Sequence, residues 1–168
     1  MYVRFQATTP NRRGTFPGVF ALVNGLAAEG RLTSEQESFR RSSYDWYDAN
    51  LANPSHVDPA VYDRELNPGA EAWFKVSAHR HVEQVDGHLE ILAAHRVGCE
   101  TLRSPDPGEV VYEDEHQVVV VPYGRRAEQH AAAPATSAAA PSATATAPPG
   151  PSHPGPSRPG GDRPAGEK

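Results

Sequence analysis

The chain has 168 residues and a formal net charge of −5, a length that suits one domain. From Arg126 to Lys168 there is no Val, Ile, Leu, Met, Phe, Trp or Tyr. That stretch has nothing large and apolar to offset the entropy of ordering, so it reads as a disordered Pro/Ala/Ser/Gly-rich tail (126–168) behind a globular domain (1–125). The domain holds 12 Lys and Arg against 18 Asp and Glu, a net charge of −6, which argues against nucleic acid and anionic membrane surfaces as partners, since both need clustered Lys and Arg.

Tyr2 to Gln6 alternates, with Val3 and Phe5 on one side and Tyr2, Arg4 and Gln6 on the other, the pattern of a strand with one buried face. Thr8 to Gly14 is loop, punctuated by Pro10, Asn11 and Gly14. A helix is predicted from about Pro17, with Val19, Phe20, Val23, Leu26 and Ala27 as its apolar face and Gly30 as its C-terminal cap. Thr33 and Gln36 have the spacing of a capping box and open a second helix, which ends near Leu51 before Asn53-Pro54. Residues 52–69 carry Pro54, Pro59 and Pro68 and read as an ordered connector with one helical turn around Ala60 to Arg64. A long helix is then predicted over Gly69 to Arg96, because Phe74, Ala78, Val82, Val85, Leu89 and Leu92 recur at steps of three and four. Within it Gly87 should cost about 1 kcal/mol relative to Ala. Three strands close the domain: Cys99 to Arg103, Glu109 to Glu113 and Gln117 to Val121, the last with four consecutive valines that suggest a central strand.

The element order β-α-α-α-β-β-β implies an α+β fold, a two-layer sandwich in which a small, mostly antiparallel sheet packs one face on the helices. The last three strands are expected to form a meander.

The best local basic site is the loop Asn11, Arg12, Arg13, Gly14 and Thr15. It is expected at a helix N-terminus, where unpaired N–H groups and the helix dipole favour an anion. It is neither G-x-x-x-x-G-K-[ST] nor G-x-G-x-x-G; the competing reading is a solvated loop with two ordinary arginines. A second candidate is an aromatic and acidic surface containing Tyr44, Trp46, Tyr47, Asp48 and Tyr62, a mixture used by ligand pockets and protein interfaces; the same rings could simply be core. On the predicted long helix His81, His88 and His95 are seven apart, about 10 Å per step, too far to share an ion, so no metal is expected, and no cofactor motif is present. The turn Glu113-Asp114-Glu115-His116 pairs acids with an imidazole, and charged turns are also ordinary protection of a sheet edge. Cys99 is the single cysteine, so no intramolecular disulfide can form. No basic stretch followed by an apolar run opens the chain and no run of 18 apolar residues occurs, which predicts a cytoplasmic location without a membrane anchor.

The closing segment Pro107-Gly108-x-Val110-x-Tyr112-Glu113-Asp114, following a long predicted helix, resembles small uncharacterised proteins of GC-rich bacteria. That resemblance carries no known activity and assigns no residue a role. The composite expectation is a soluble cytoplasmic binding or accessory module that contacts a protein partner or a small anionic ligand. The alternative is a small enzyme acting on an anion held by the 11–15 loop, with Tyr44, Asp48 or His116 supplying acid–base chemistry. The enzyme requires the loop, the 44–48 helix end and the 113–116 turn to converge in one pocket.

Overall fold

The computed structural model describes residues 1–125; the predicted tail lies outside the described residues. Strand β1 (Tyr2–Ala7) leads into helix α1 (Val19–Ala28), helix α2 (Ser34–Asn50) and a single turn, α3 (Pro54–Val57). Strand β2 (Glu71–Lys75) follows, then helices α4 (His79–Glu83) and α5 (Asp86–Ala94), and strands β3 (Cys99–Ser104), β4 (Glu109–Glu113) and β5 (Gln117–Val121). The five strands form one antiparallel sheet in the order β3-β1-β2-β5-β4. The fold is α+β, with an antiparallel sheet carrying its helices on one face.

Local chemistry sets the helix starts. The Thr33 hydroxyl accepts from Gln36 N–H, and the Gln36 side chain accepts from Thr33 N–H. This reciprocal capping box satisfies two otherwise unpaired donors. Helix α1 begins at Val19, two residues later than predicted, because Gly18 keeps an extended backbone and is drawn into a bridge with Gln6 on β1.

The predicted helix over Gly69 to Arg96 is not continuous. Its first part is β2, and the rest breaks near Gln84 and Val85 into α4 and α5. The stripe nevertheless faces inward: Phe74, Ala78, Val85 and Leu92 are buried, and Val82 and Leu89 pack against the same core. Residues 71–75 are a strand because β5, buried at all five positions, needs a second partner, and β2 supplies it through the pairs Glu71↔Val120 to Phe74↔Gln117. The strand at the middle of the sheet is therefore β2, and β5 lies one place from the edge. Nor do the last three strands form a meander. Strands β4 and β5 make a hairpin, while β3 pairs with β1 over six residues at the opposite edge. The connector's helical turn is α3 at Pro54–Val57 rather than at Ala60 to Arg64.

The short link Pro105 to Gly108 joins the two edge strands. Five residue steps, from Ser104 to Glu109, reach roughly 18 Å. Four strand spacings in a flat sheet already measure roughly 19 Å, and the two residues lie at opposite ends of the sheet. The sheet must therefore curl. Its concave face closes on a small core of Trp73, Val118 and Val120, with Tyr2 and Leu102 packed against it. Its convex face presents Val3, Phe5 and Phe74 to α1, α2 and α5 in the main core, with Val23, Leu92 and Tyr47.

Candidate functional site

Strand β1 has different neighbours along its length. It pairs with β2 only at Tyr2↔Lys75 and Val3↔Phe74. Beyond that point β2 departs, and residues 16–18 take the vacated edge through the Gln6–Gly18 bridge and an Ala7 N–H to Pro17 C=O bond of 2.8 Å. The sheet is thus forked, with β2 as one prong and residues 16–18 as the other.

Arg4 sits in the crotch of this fork. Its Nη1 donates to Ala72 C=O on one prong (3.0 Å) and its Nη2 to Phe16 C=O on the other (3.1 Å). Nη2 also pairs with Glu71 at 3.2 Å, and Nε donates to Gln6. The side chain is 10% exposed. Burial lowers its pKa, and Glu71 opposes that shift, so the cation stays paired, as a buried charge must. Glu71 is in turn held by the Trp73 indole N–H at 3.1 Å.

Outside the crotch lies a pocket of about 680 Å³. Arg13, Asn11 and Thr15 come from the first loop, Tyr62, Arg64 and Asn67 from the connector, and Arg125 from the segment after β5. Among the described residues four arginines, counting Arg4, line it with one carboxylate, Glu71. Arg125 donates to Gly14 C=O at 3.2 Å, joining the end of the domain to the first loop. Arg13 and Arg64 are exposed, and no hydrogen bond or ion pair among the described residues engages their guanidinium groups. The connector wall is built by Asx turns: Asp63 accepts the N–H groups of Glu65 and Leu66, which hold its carboxyl below the usual range, and the Asn67 amide donates to Ala60 and Val61 C=O. Burial raises the Tyr62 phenol, with Arg4 opposing.

The loop differs from its predicted form in what it can offer. Asn11 Oδ1 accepts from Arg13 and Thr15 N–H, Gly14 N–H donates to Asn11 C=O, and Asn11 N–H donates to Thr15 C=O. The side chain of an Asx turn thus consumes the N–H groups that an anion would need. Helix α1 starts only at Val19, so its dipole end is not the loop. Positive charge at this place belongs to side chains. Arg13 lines the pocket and Arg12 does not.

Three of the aromatic group stay together, Tyr44 and Tyr47 both packing on Phe20 and His88 and Trp46 on Tyr47. Tyr47 is buried and its hydroxyl donates to His81 C=O at 2.6 Å. Tyr44 donates to Phe20 C=O beneath the Arg40 guanidinium. Trp46 packs edge-on to Tyr47 with ring centres 5.2 Å apart. Tyr62 alone reaches the cationic pocket. Asp48 is exposed and borders a different depression, shared with Asp114, Glu115 and His116. Burial would raise the Asp114 carboxyl, but it accepts from His116 and Gln117 N–H, the Gln117 amide and the Tyr112 hydroxyl, and the net effect is a lowered pKa. That residue builds its turn. The His116 ring lies 4.3 Å from that of His81, whose Nε2–H donates to Asn50 C=O. Cys99 is half-buried and burial raises its thiol pKa, the opposite of what a nucleophile needs.

No protein-family profile, curated protein or solved structure matches the chain. Asp48 and the 114–116 positions share a depression with each other, and the 11–15 loop lies with the connector and Arg125. Sequence reasoning missed Arg4, Arg64, Glu71 and Arg125. The one available signal was Arg4, a charged residue on an otherwise strand-like run next to Val3 and Phe5. No helix among the described residues is long and apolar enough to cross a membrane.

Proposed function

We propose that the protein is a binding module that takes a small anionic ligand in the pocket between the 11–15 loop, the 62–71 connector and Arg125. The observation that carries this is four arginines converging on one pocket of a domain with net charge −6. Among the described residues the one lining acid, Glu71, is already paired to Arg4. Guanidinium groups present forked donors that match carboxylate and phosphate oxygens. Arg13 and Arg64 are the ligand-facing donors, Arg4 sets the floor, and Arg125 joins the wall to the loop. Simple binding is favoured over catalysis because, of the acid–base candidates, Asp48 and His116 border another depression and the Tyr44 hydroxyl is bonded to Phe20 C=O.

Thermal melts with inorganic phosphate, sulfate, citrate and nucleotides at fixed ionic strength test the proposal. A bound anion at a hundredfold excess over its Kd stabilises the fold by about 2.7 kcal/mol. The double variant Arg13→Ala with Arg64→Ala should abolish the shift. Arg12→Ala, on the same loop but outside the pocket, should retain it. A wild-type protein that no anion shifts, or an Arg12→Ala variant that loses as much as the double variant, would overturn it.

A further inference from the structure

The pocket that holds the arginines is larger than a bare anion needs. Its volume of about 680 Å³ lies in the range that encloses a drug-sized organic molecule. An inorganic phosphate would leave most of it to water. Nor are the arginines its whole lining, because Phe16, Tyr62, Pro68 and Ala70 share the wall.

Tyr62 is the ring that the fold leaves open there, at 41% exposure. The other exposed tyrosine among the described residues, Tyr123, gives its hydroxyl to Asp106. The Tyr62 hydroxyl makes no hydrogen bond among those residues. The connector nevertheless anchors the backbone beneath it. Val61 is fully buried, the Asn67 amide donates to the C=O groups of Ala60 and Val61, and Asp58 accepts the Ala60 N–H. A ring carried on so ordered a turn loses little further freedom when a ligand covers it.

From this placement we infer that the ligand is a phosphate carried on a flat aromatic ring, an aryl or nucleoside phosphate, with the charged head at Arg13 and Arg64 and the ring stacked on Tyr62. The inference rests on the anion-binding proposal and adds the ring. Head and ring sites line one and the same pocket. Arg4 and Glu71 pair with each other, so the positive charge of Arg13, Arg64 and Arg125 is left to face the ligand, which suits a phosphate dianion better than a single carboxylate. Guanidinium planes also stack on aromatic faces, so the arginines that hold the head tolerate a ring beside it.

Titration calorimetry at pH 8 and fixed ionic strength with inorganic phosphate, cyclohexyl phosphate, phenyl phosphate and AMP tests this. Phenyl phosphate and AMP should bind at least about tenfold more tightly than inorganic phosphate, the gain that stacking on one aromatic side chain gives. The tighter of the two tells whether the ring is a simple aryl group or a nucleobase. Phenyl phosphate should exceed cyclohexyl phosphate by at least about threefold, because a saturated ring buries apolar area without stacking. Tyr62→Ala should erase the gain from the ring and keep the affinity for inorganic phosphate, which also shows that it has folded. Tyr62→Phe should keep both, since the face of the ring is used and not the hydroxyl. In the wild-type protein the phenyl proton resonances of bound phenyl phosphate should move upfield, as they do over an aromatic face. If phosphate binds and the aryl phosphates bind no better, the ring is wrong and the anion site stands. If nothing binds, both fall. Cyclohexyl phosphate binding as tightly as phenyl phosphate, Tyr62→Ala binding phenyl phosphate like wild type, Tyr62→Phe losing the gain, or phenyl resonances that do not move upfield would also overturn the inference.

Discussion

His88 on α5 is fully buried among the rings of Phe20, Phe39, Tyr44 and Tyr47, and neither ring nitrogen makes a well-formed hydrogen bond. Burial lowers its pKa to about 4, with the nearby Gln84 backbone offsetting part of the shift. The unfolded chain therefore takes up this proton first. The stability His88 contributes is complete above pH 6.5 and is lost as pH falls from 6.5 towards 4, by about 3 kcal/mol over the window. Urea unfolding of wild type and His88→Leu at pH 7, 5.5 and 4.5 isolates the effect from the carboxylates common to both. The variant's curve should fall less steeply, and parallel curves would show that the imidazole is solvated. Gly87, one residue earlier, was expected to weaken a helix. Instead it is where the Phe39 ring crosses α5, and a Cβ there would overlap the ring. Helix propensity favours Gly87→Ala by about 1 kcal/mol, but overpacking costs about 1–3 kcal/mol. The substitution should therefore destabilise wild type and stabilise a Phe39→Ala background. The same sign in both backgrounds would remove Phe39 as the cause.

The helix α5 and the strand β2 show how one apolar stripe can serve two secondary structures. Steps of three and four placed Phe74 on the face of a helix, and alternation in β2 places it on the same side of the sheet. Inward phase survives the misread element, so burial along the stripe is graded by position. Leu92 is 1% exposed, whereas Leu89 is only partly buried at the margin of the core. Leu92→Ala should cost about 2–5 kcal/mol through lost burial and a cavity, and Leu89→Ala clearly less. Equal costs by urea unfolding would mean that α5 is rotated about its axis relative to the arrangement described.

At the scale of the molecule the curl of the sheet decides where a ligand can go. The Pro105–Gly108 link draws the edges together, the concave face fills with Trp73, Val118 and Val120, and the pocket is left at one end of that face with Arg4 as its floor. Arg125, the last described residue, completes the pocket wall. Deleting residues 127–168 keeps Arg125 and removes no large apolar side chain. The melting midpoint should then move by less than a few degrees, since about 1 kcal/mol shifts a domain of this size by several degrees. A larger drop would mean that the removed segment contributes to the folded state. Anion-induced shifts should be the same in the full-length and shortened chains.

The sequence by itself determined the features that depend on neighbours along the chain. Alternation placed β1, the Thr33–Gln36 capping box started α2, and the four-valine run marked a buried β5. It also marked Asn11, Arg13 and Thr15 as part of one basic loop. Tertiary structure alone decided that residues 71–75 pair as a strand, because the valines of β5 need a partner that no local pattern announces. It alone brought Arg4, Arg64 and Arg125 to Arg13, since those residues lie far apart in sequence and meet only through the fork and the connector. The Asx turn that uses up the loop's N–H groups moved the positive charge from backbone to side chains. Period and propensity are local properties; which edge a strand takes, and which charges then share a pocket, follow from the packing of the whole sheet.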